Sequence, residues 1–215
     1  MTIVVEEDSL FQSWRRSRPE FVADGVVSEQ DYLASSPSIV VILKEVNSPK
    51  SGDWDLRLYL RNGGRPETWD NVARWVHGIR NRGQGDDWPN QYKNISKEFR
   101  AEVLRSICVV NLKKSPGTHT TEIASLTEVA KQDAFRIQTQ YAIYEPDLTI
   151  CGGTGDLFRT VVGHEHLEWR QTRRGIRWYQ WASGKVVIAY SHPEARVQDS
   201  LLHYGLIDAV IEILT

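Results

Sequence analysis

The chain has 215 residues, a formal net charge of −2 and a sequence pI of about 6.3, which excludes a protein that coats nucleic acid through bulk electrostatics. Any nucleic-acid contact has to be local. With 40% hydrophobic and 25% charged residues the composition is globular, and no apolar run approaches the roughly 20 residues of a membrane span. Nothing reads as a linker, so one domain over residues 1–215 is expected. The opening MTIVVEEDSL has neither a basic start nor an apolar signal core, which leads to the expectation of a cytoplasmic monomer with no membrane contact.

In chain order, Ile39 to Leu43 is the first continuous apolar run, the pattern of a strand buried on both faces. Glu67 to Arg80 follows as a helix, because Val72, Trp75, Val76 and Ile79 recur at spacings of three and four. Ser96 starts another helix with Phe99, Val103 and Leu104 facing inward, and Ile107 to Val110 is the second strand. From Thr121 to Tyr144 a single helix is expected, with Ile123, Leu126, Val129, Ala130 and Phe135 at helical spacing and Pro146 as its stop. Leu148 to Cys151 is the third strand, and Gly152-Gly153 turns into a helix from Asp156 to Val162. Leu167 to Trp181 mixes aromatic and basic residues, suggesting an antiparallel excursion or hairpin before the fourth strand, Val186 to Tyr190. The last helix, Val197 to Leu214, carries Leu201, Leu202, Leu206, Ile207, Val210 and Ile211. This alternation predicts an α/β fold, a three-layer α/β/α sandwich with a central four-stranded parallel sheet. In such sheets ligands bind beyond the carboxyl ends of the strands, so the residues after each strand carry the chemistry.

Cys108 and Cys151 lie in apolar runs and are expected in the core; two cysteines cannot build a four-thiolate cluster. The weak His164-Glu165-His166 is the best histidine pair, so no metal is expected. Cys151-Gly152-Gly153-Thr154-Gly155 has neither the P-loop lysine nor the dinucleotide spacing, and no nucleotide cofactor is expected. After the first strand, Lys44-Glu45-Val46-Asn47-Ser48-Pro49 brings a carboxylate and an amide to the sheet edge. Such a pair could stabilise a cation-like sugar and orient water, although Asn47 and Ser48 equally suit a turn before Pro49. Asn111 ends the second strand, where an amide can donate and accept against an extruded pyrimidine, and Lys113 and Lys114 follow it as candidate DNA contacts. Arg170, Arg173, Arg174 and Arg177 form a second basic cluster. The fourth strand ends in Ser191-His192-Pro193-Glu194-Ala195-Arg196, where proline fixes the turn and His192 could hydrogen-bond a departing base.

A polar motif after the first strand, an Asn after the second and a His-Pro after the last, in that order over Ser38 to Arg196, resemble the uracil-DNA glycosylase superfamily. The resemblance implies that VVNLKK is the base-reading segment, with Asn111 recognising the base, and that SHPEAR supplies His192 as the stabiliser of the leaving base. Ser191 and Arg196 would then contact DNA. The first motif departs from the family versions GQDPY, GMNPG and GEAPG: KEVNS sets Glu45 on the glutamate of GEAPG and Asn47 on its proline, so either could handle the water, with Glu45 preferred. The cysteines that accompany GEAPG in the iron–sulfur members are absent. Where the strict uracil enzymes place a blocking tyrosine, this chain has Ser48, Pro49, Lys50, Ser51 and Gly52, and Trp54 could stack on a larger base.

The implied activity is flipping and excision of uracil or a carbon-5-modified pyrimidine from DNA, leaving an abasic site, with defence against phage DNA carrying modified cytosine as one setting. A hydrolase of free nucleosides or nucleotides, and a non-catalytic DNA-binding member of the superfamily, remain alternatives.

Overall fold

The computed structural model describes residues 1–18, 20–47, 54–85, 87–117 and 121–215. Helix α1 (Ile3–Arg15) is capped by the Thr2 hydroxyl, which accepts the Val5 N–H. Two short strands follow, β1 (Val22–Ala23) and β2 (Gly25–Val26), then α2 (Glu29–Leu33) and β3 (Ile39–Leu43). β4 (Trp54–Asp55) leads into α3 (Leu56–Arg61), whose cap is Asp55, and α4 (Pro66–Arg80) opens on proline, whose missing N–H costs nothing in the first turn. A π-helical turn at Trp88–Tyr92 precedes α5 (Lys97–Arg105), which Ser96 caps through the Phe99 N–H. The remainder is β5 (Ile107–Asn111), α6 (Ile123–Gln132), α7 (Ala134–Tyr144), β6 (Leu148–Gly152), α8 (Gly155–Val161), β7 (Arg170–Gln171), β8 (Arg177–Ala182), β9 (Lys185–Tyr190) and α9 (Asp199–Leu214).

The fold is mixed α/β. Its main sheet has seven strands in the order β2-β5-β3-β6-β9-β8-β7 and is mixed rather than wholly parallel. The four strands expected from sequence are its centre: β5, β3, β6 and β9 are neighbours and run parallel. The additions that make it larger are antiparallel. β2 pairs with β5 at one edge, and at the other β8 folds back on β9 and β7 on β8, a tight reversal that only antiparallel pairing allows. β1 and β4 form a separate parallel pair.

Alternation along the central strands feeds two cores. Val41, Leu43, Val109, Ile150 and Ile188 pack with Val72, Trp75, Val76, Leu206 and Val210 from α4 and α9. Val40, Ile42, Cys108, Val110 and Val187 pack with Phe11, Trp14, Leu126, Ile137 and Phe158 from α1, α6, α7 and α8. Both cysteines are buried and unpaired, as expected of core residues. No helix among the described residues is long and apolar enough to cross a membrane.

Two helices depart from the sequence pattern. Thr121 to Tyr144 is not one helix: it breaks at Asp133, whose carboxylate is 2% exposed and takes Arg18 Nε at 2.8 Å and Arg136 Nη1 at 3.3 Å. The break shifts the helical phase and leaves Phe135 80% exposed. In α9, Leu201 and Ile211 face outward while Leu202, Leu206, Ile207 and Val210 are buried.

Candidate functional site

Backbone pairing between β3 and β5 continues beyond both strands. Leu112 donates to the Leu43 carbonyl and Lys113 to that of Lys44, each at 3.0 Å, and Gly117 donates to Val46 at 2.8 Å. Asn47 and Gly117 form an isolated parallel bridge, so the two exit loops are zipped together. Between them, the Glu45 carboxylate pairs with Lys113 Nζ at 2.5 Å, and its side chain is only 4% exposed. A Cβ at Gly117 would overlap the Glu45 carboxyl group, so a larger residue there would push the carboxylate out of its present position. Asn47, one step further out, is exposed.

The last strand delivers His192 beside this edge. Gly153, at φ +71°, donates its N–H to the Tyr190 carbonyl at 2.8 Å. A Cβ at Gly153 would lie 3.7 Å from both His192 Cβ and Lys44 Cε, so the glycine seat brings the exits of β3 and β9 together. His192 is half-buried, and its Nδ1 accepts the backbone N–H of Glu194 at 3.1 Å. An accepting Nδ1 carries no proton, which places the ring hydrogen on Nε2 and leaves it as a neutral donor. Burial pushes the imidazole pKa below its ordinary value of 6.5; Glu194 works against that shift, and the positive charges of Lys44 and Arg65 reinforce it.

The His-Pro turn is gripped by α4 through residues that the sequence reading passed over. Asn71 Nδ2 donates to the Pro193 carbonyl at 2.9 Å, and the Glu194 carboxylate takes Arg65 and the Thr68 hydroxyl. Asn71 and Arg74 also hold Asp199, at 2.9 and 3.0 Å, tying the start of α9 to the same helix. Thr68, Asn71 and Arg74 recur every three residues and are all buried, a polar stripe beside the apolar face of α4. That stripe was the available signal.

Asn111 ends β5 with its side chain turned to Asp24, a fully buried carboxylate between β1 and β2. Lys114 corrects an expectation: it is not a surface cation for DNA but is 0% exposed, with Nζ 2.6 and 2.7 Å from the two Asp24 oxygens. Lys113 and Lys114 are adjacent in sequence but point to different carboxylates. Trp54 is likewise not free at the site. It pairs with Val22 in the β1–β4 ladder, packs edge-on to Tyr59 at 5.9 Å and lies against the core. Ser191 and Arg196 are exposed. Ser48 to Gly52, on which the roomier pocket rested, lie outside the described residues.

The second basic cluster lies on the β7–β8 hairpin. Three of its arginines pair with acids: Arg173 with Glu212, Arg174 with Asp208 and Arg177 with Asp156. A cleft of about 340 Å³ separates this hairpin, at Gly175 to Arg177, from Gly153 to Leu157 and Tyr190. Among the described residues no three His, Cys, Asp or Glu side chains are grouped to hold a metal ion. No family model matches the chain, and no curated protein matches its sequence.

Proposed function

We propose that the protein is a DNA glycosylase of the uracil-DNA glycosylase type, a three-layer α/β/α enzyme that acts in the cytoplasm. In this reading it extrudes uracil or a carbon-5-modified pyrimidine and hydrolyses the N-glycosidic bond, leaving an abasic site. The observation that carries the reading is His192, presented at the end of the last parallel strand as a neutral Nε2–H donor. As the bond to the sugar breaks, negative charge develops on a carbonyl oxygen of the departing base. A fixed N–H donor at that oxygen lowers the barrier without full proton transfer.

Two further arrangements support it. The parallel order β5-β3-β6-β9, with helices packed on both faces, sets the polar exits of β3, β5 and β9 along one edge. Glu45, buried and held by Lys113, suits a fixed carboxylate better than a proton acceptor, which leaves exposed Asn47 to orient the attacking water. Asn111 reads the base, while Ser191 and Arg196 supply local DNA contacts in a chain whose overall charge gives none; Lys113, expected from sequence as a third contact, is instead engaged by Glu45. Removal of decorated cytosine from phage DNA follows from the small residues after Asn47 and belongs to the same proposal.

The test is incubation of the intact protein with single- and double-stranded oligonucleotides carrying uracil, 5-hydroxymethylcytosine or its glucosylated form. Alkaline strand cleavage reports abasic sites and mass spectrometry identifies the released base. Base release that disappears in His192→Ala is the expected result. Hydrolysis of free nucleosides with every oligonucleotide left intact would replace this reading with a small-molecule hydrolase.

A further inference from the structure

Helix α9 carries more apolar surface than the core takes up. Ten of the 16 residues from Asp199 to Leu214 are hydrophobic, and apart from His203 none is basic. Leu202, Leu206, Ile207 and Val210 fill the face that packs on α4, yet Leu201, Tyr204 and Ile211 are exposed on the other side, Leu201 by 61%. A helix that is apolar all round is normally buried all round. Here only one side is covered.

Leu201, Tyr204, Asp208 and Ile211 follow one another at spacings of three, four and three, which sets them in a straight seam along the outer face, the pattern by which two helices pair. The acids of the helix are already neutralised: Asp199 meets Arg74 at 3.0 Å, Asp208 meets Arg174 at 3.0 Å and Glu212 meets Arg173 at 3.5 Å. The seam therefore carries no excess positive charge to draw a phosphate backbone or an anionic lipid surface.

Reversed end for end, the seam complements itself. Laid antiparallel on a second copy, about a two-fold axis level with Leu206, it sets Leu201 against the second copy's Ile211 and Tyr204 against the second copy's Asp208, and each contact occurs twice. Apolar then meets apolar, and a phenolic O–H meets a carboxylate that Arg174 already steadies. Parallel pairing would set each residue on its own copy, Asp208 against Asp208. A stable dimer covers about 800 Å² on each partner, of which a helix of about 24 Å supplies a part. Half-buried Trp88, its ring 6.4 Å from that of Tyr204, and Arg174 border the seam and add to it.

We infer that the protein is a homodimer, in place of the monomer expected from its sequence, with the outer faces of two α9 helices packed antiparallel across a two-fold axis. The start of α9 is tied to the His192 turn through Asn71, which donates to both Asp199 and the Pro193 carbonyl, so the two candidate sites lie at opposite ends of the seam. The pairing requires nothing of the chemistry at His192.

Sedimentation velocity of the intact protein over a concentration series should show a species of twice the 24.6 kDa chain mass. Leu201→Glu and Ile211→Lys each place a charge at an exposed position, where the fold tolerates it, and each should shift the protein to monomer. Within one chain the two positions are about 15 Å apart along the helix, so opposite charges there meet only across the interface and the double variant should recover the dimer. Cysteines fix the register: Leu201→Cys/Ile211→Cys should form a disulfide-linked dimer under mild oxidation and neither single variant should, the native Cys108 and Cys151 being buried. A wild type that is monomeric at every concentration, or a dimer that survives both charge substitutions, overturns the inference. A double charge variant that stays monomeric, or Leu201→Cys that links to its own copy, overturns the antiparallel register. A monomer that co-sediments with phosphatidylcholine vesicles and is released by Leu201→Glu overturns the dimer and gives the face to a lipid surface.

Discussion

The backbone N–H of Glu194 points at Nδ1 of His192 from 3.1 Å, so the turn that presents the imidazole also fixes its proton on the far nitrogen. The Glu194 side chain is meanwhile held by Arg65 and Thr68, and the Pro193 carbonyl by Asn71. The turn thus sets the tautomer of the ring, and Arg65, with Thr68 and Asn71 of α4, holds the turn in place.

The first prediction concerns pH. His192 titrates below its ordinary 6.5 because burial and the charges of Lys44 and Arg65 disfavour the imidazolium. Its neutral form is retained into mild acid, and the acidic limb of kcat/KM due to this group should fall below pH 6.5. Lys44→Met removes one of the repelling charges, so the imidazolium becomes easier to form and the limb should move to higher pH. His192→Ala should lower kcat by about 10²- to 10⁴-fold. A pH–rate profile whose acidic limb ignores Lys44→Met would remove His192 as its source.

The second prediction concerns the zipped loops. Gly117→Ala forces a methyl group into the space of the Glu45 carboxyl, and overpacking of this kind costs about 1–3 kcal/mol. Lys113→Met leaves Glu45 buried without its cation, a loss of a few kcal/mol where the acid cannot reach water. Urea denaturation of each variant measures the cost. The double variant should lose less than the sum, because both changes disturb the same ion pair.

What could be read from the sequence follows how local each cause is. Ile39 to Leu43, Ile107 to Val110 and Val186 to Tyr190 announce themselves because buried parallel strands are apolar without interruption, and reading the residues after them located Glu45, Asn111 and His192 on one edge. The break at Asp133 was not legible, since its partner Arg18 lies far away in sequence and only the fold brings them together. Lys114 looks like Lys113 in a sequence; their opposite fates depend on Asp24, held between two strands of two residues each, too short to leave a periodic pattern. Helix α1 was missed for a related reason. Its inward face is Glu7, Phe11 and Trp14, and the leading glutamate disguises an apolar stripe.

A third prediction follows from Asp133. Asp133→Ala strands Arg18 and Arg136 and removes the shared end of α6 and α7, while Phe135→Glu changes a side chain that is already 80% exposed. The first should destabilise by about 2 kcal/mol or more and the second by less than about 0.5 kcal/mol. Thermal unfolding of the two variants side by side is the measurement. Had Thr121 to Tyr144 been one helix with Phe135 inward, the order would reverse.

The last prediction concerns Glu7, whose buried carboxylate accepts the Val26 N–H at 2.7 Å, the Tyr144 hydroxyl at 2.6 Å and Arg57 Nη1 at 2.7 Å. Burial raises its pKa from 4.5 to about 7, and these partners only partly resist the shift. The folded chain therefore holds this proton more tightly than the unfolded chain. The resulting stabilisation is fully present below about pH 4.5 and is lost as pH rises through about 7. The sign is opposite to that of a carboxylate whose pKa is depressed by an ion pair. Over that interval Glu7 contributes a fall of about 3 kcal/mol in unfolding free energy. Glu7→Gln keeps the shape and cannot ionise, so the variant should resemble the wild type most closely in acid, where Glu7 is itself neutral, and show a flatter dependence between pH 5 and 8. Urea unfolding at half-unit intervals across that range, for both proteins, separates the contributions; an unchanged slope in the variant would assign the pH dependence to another group.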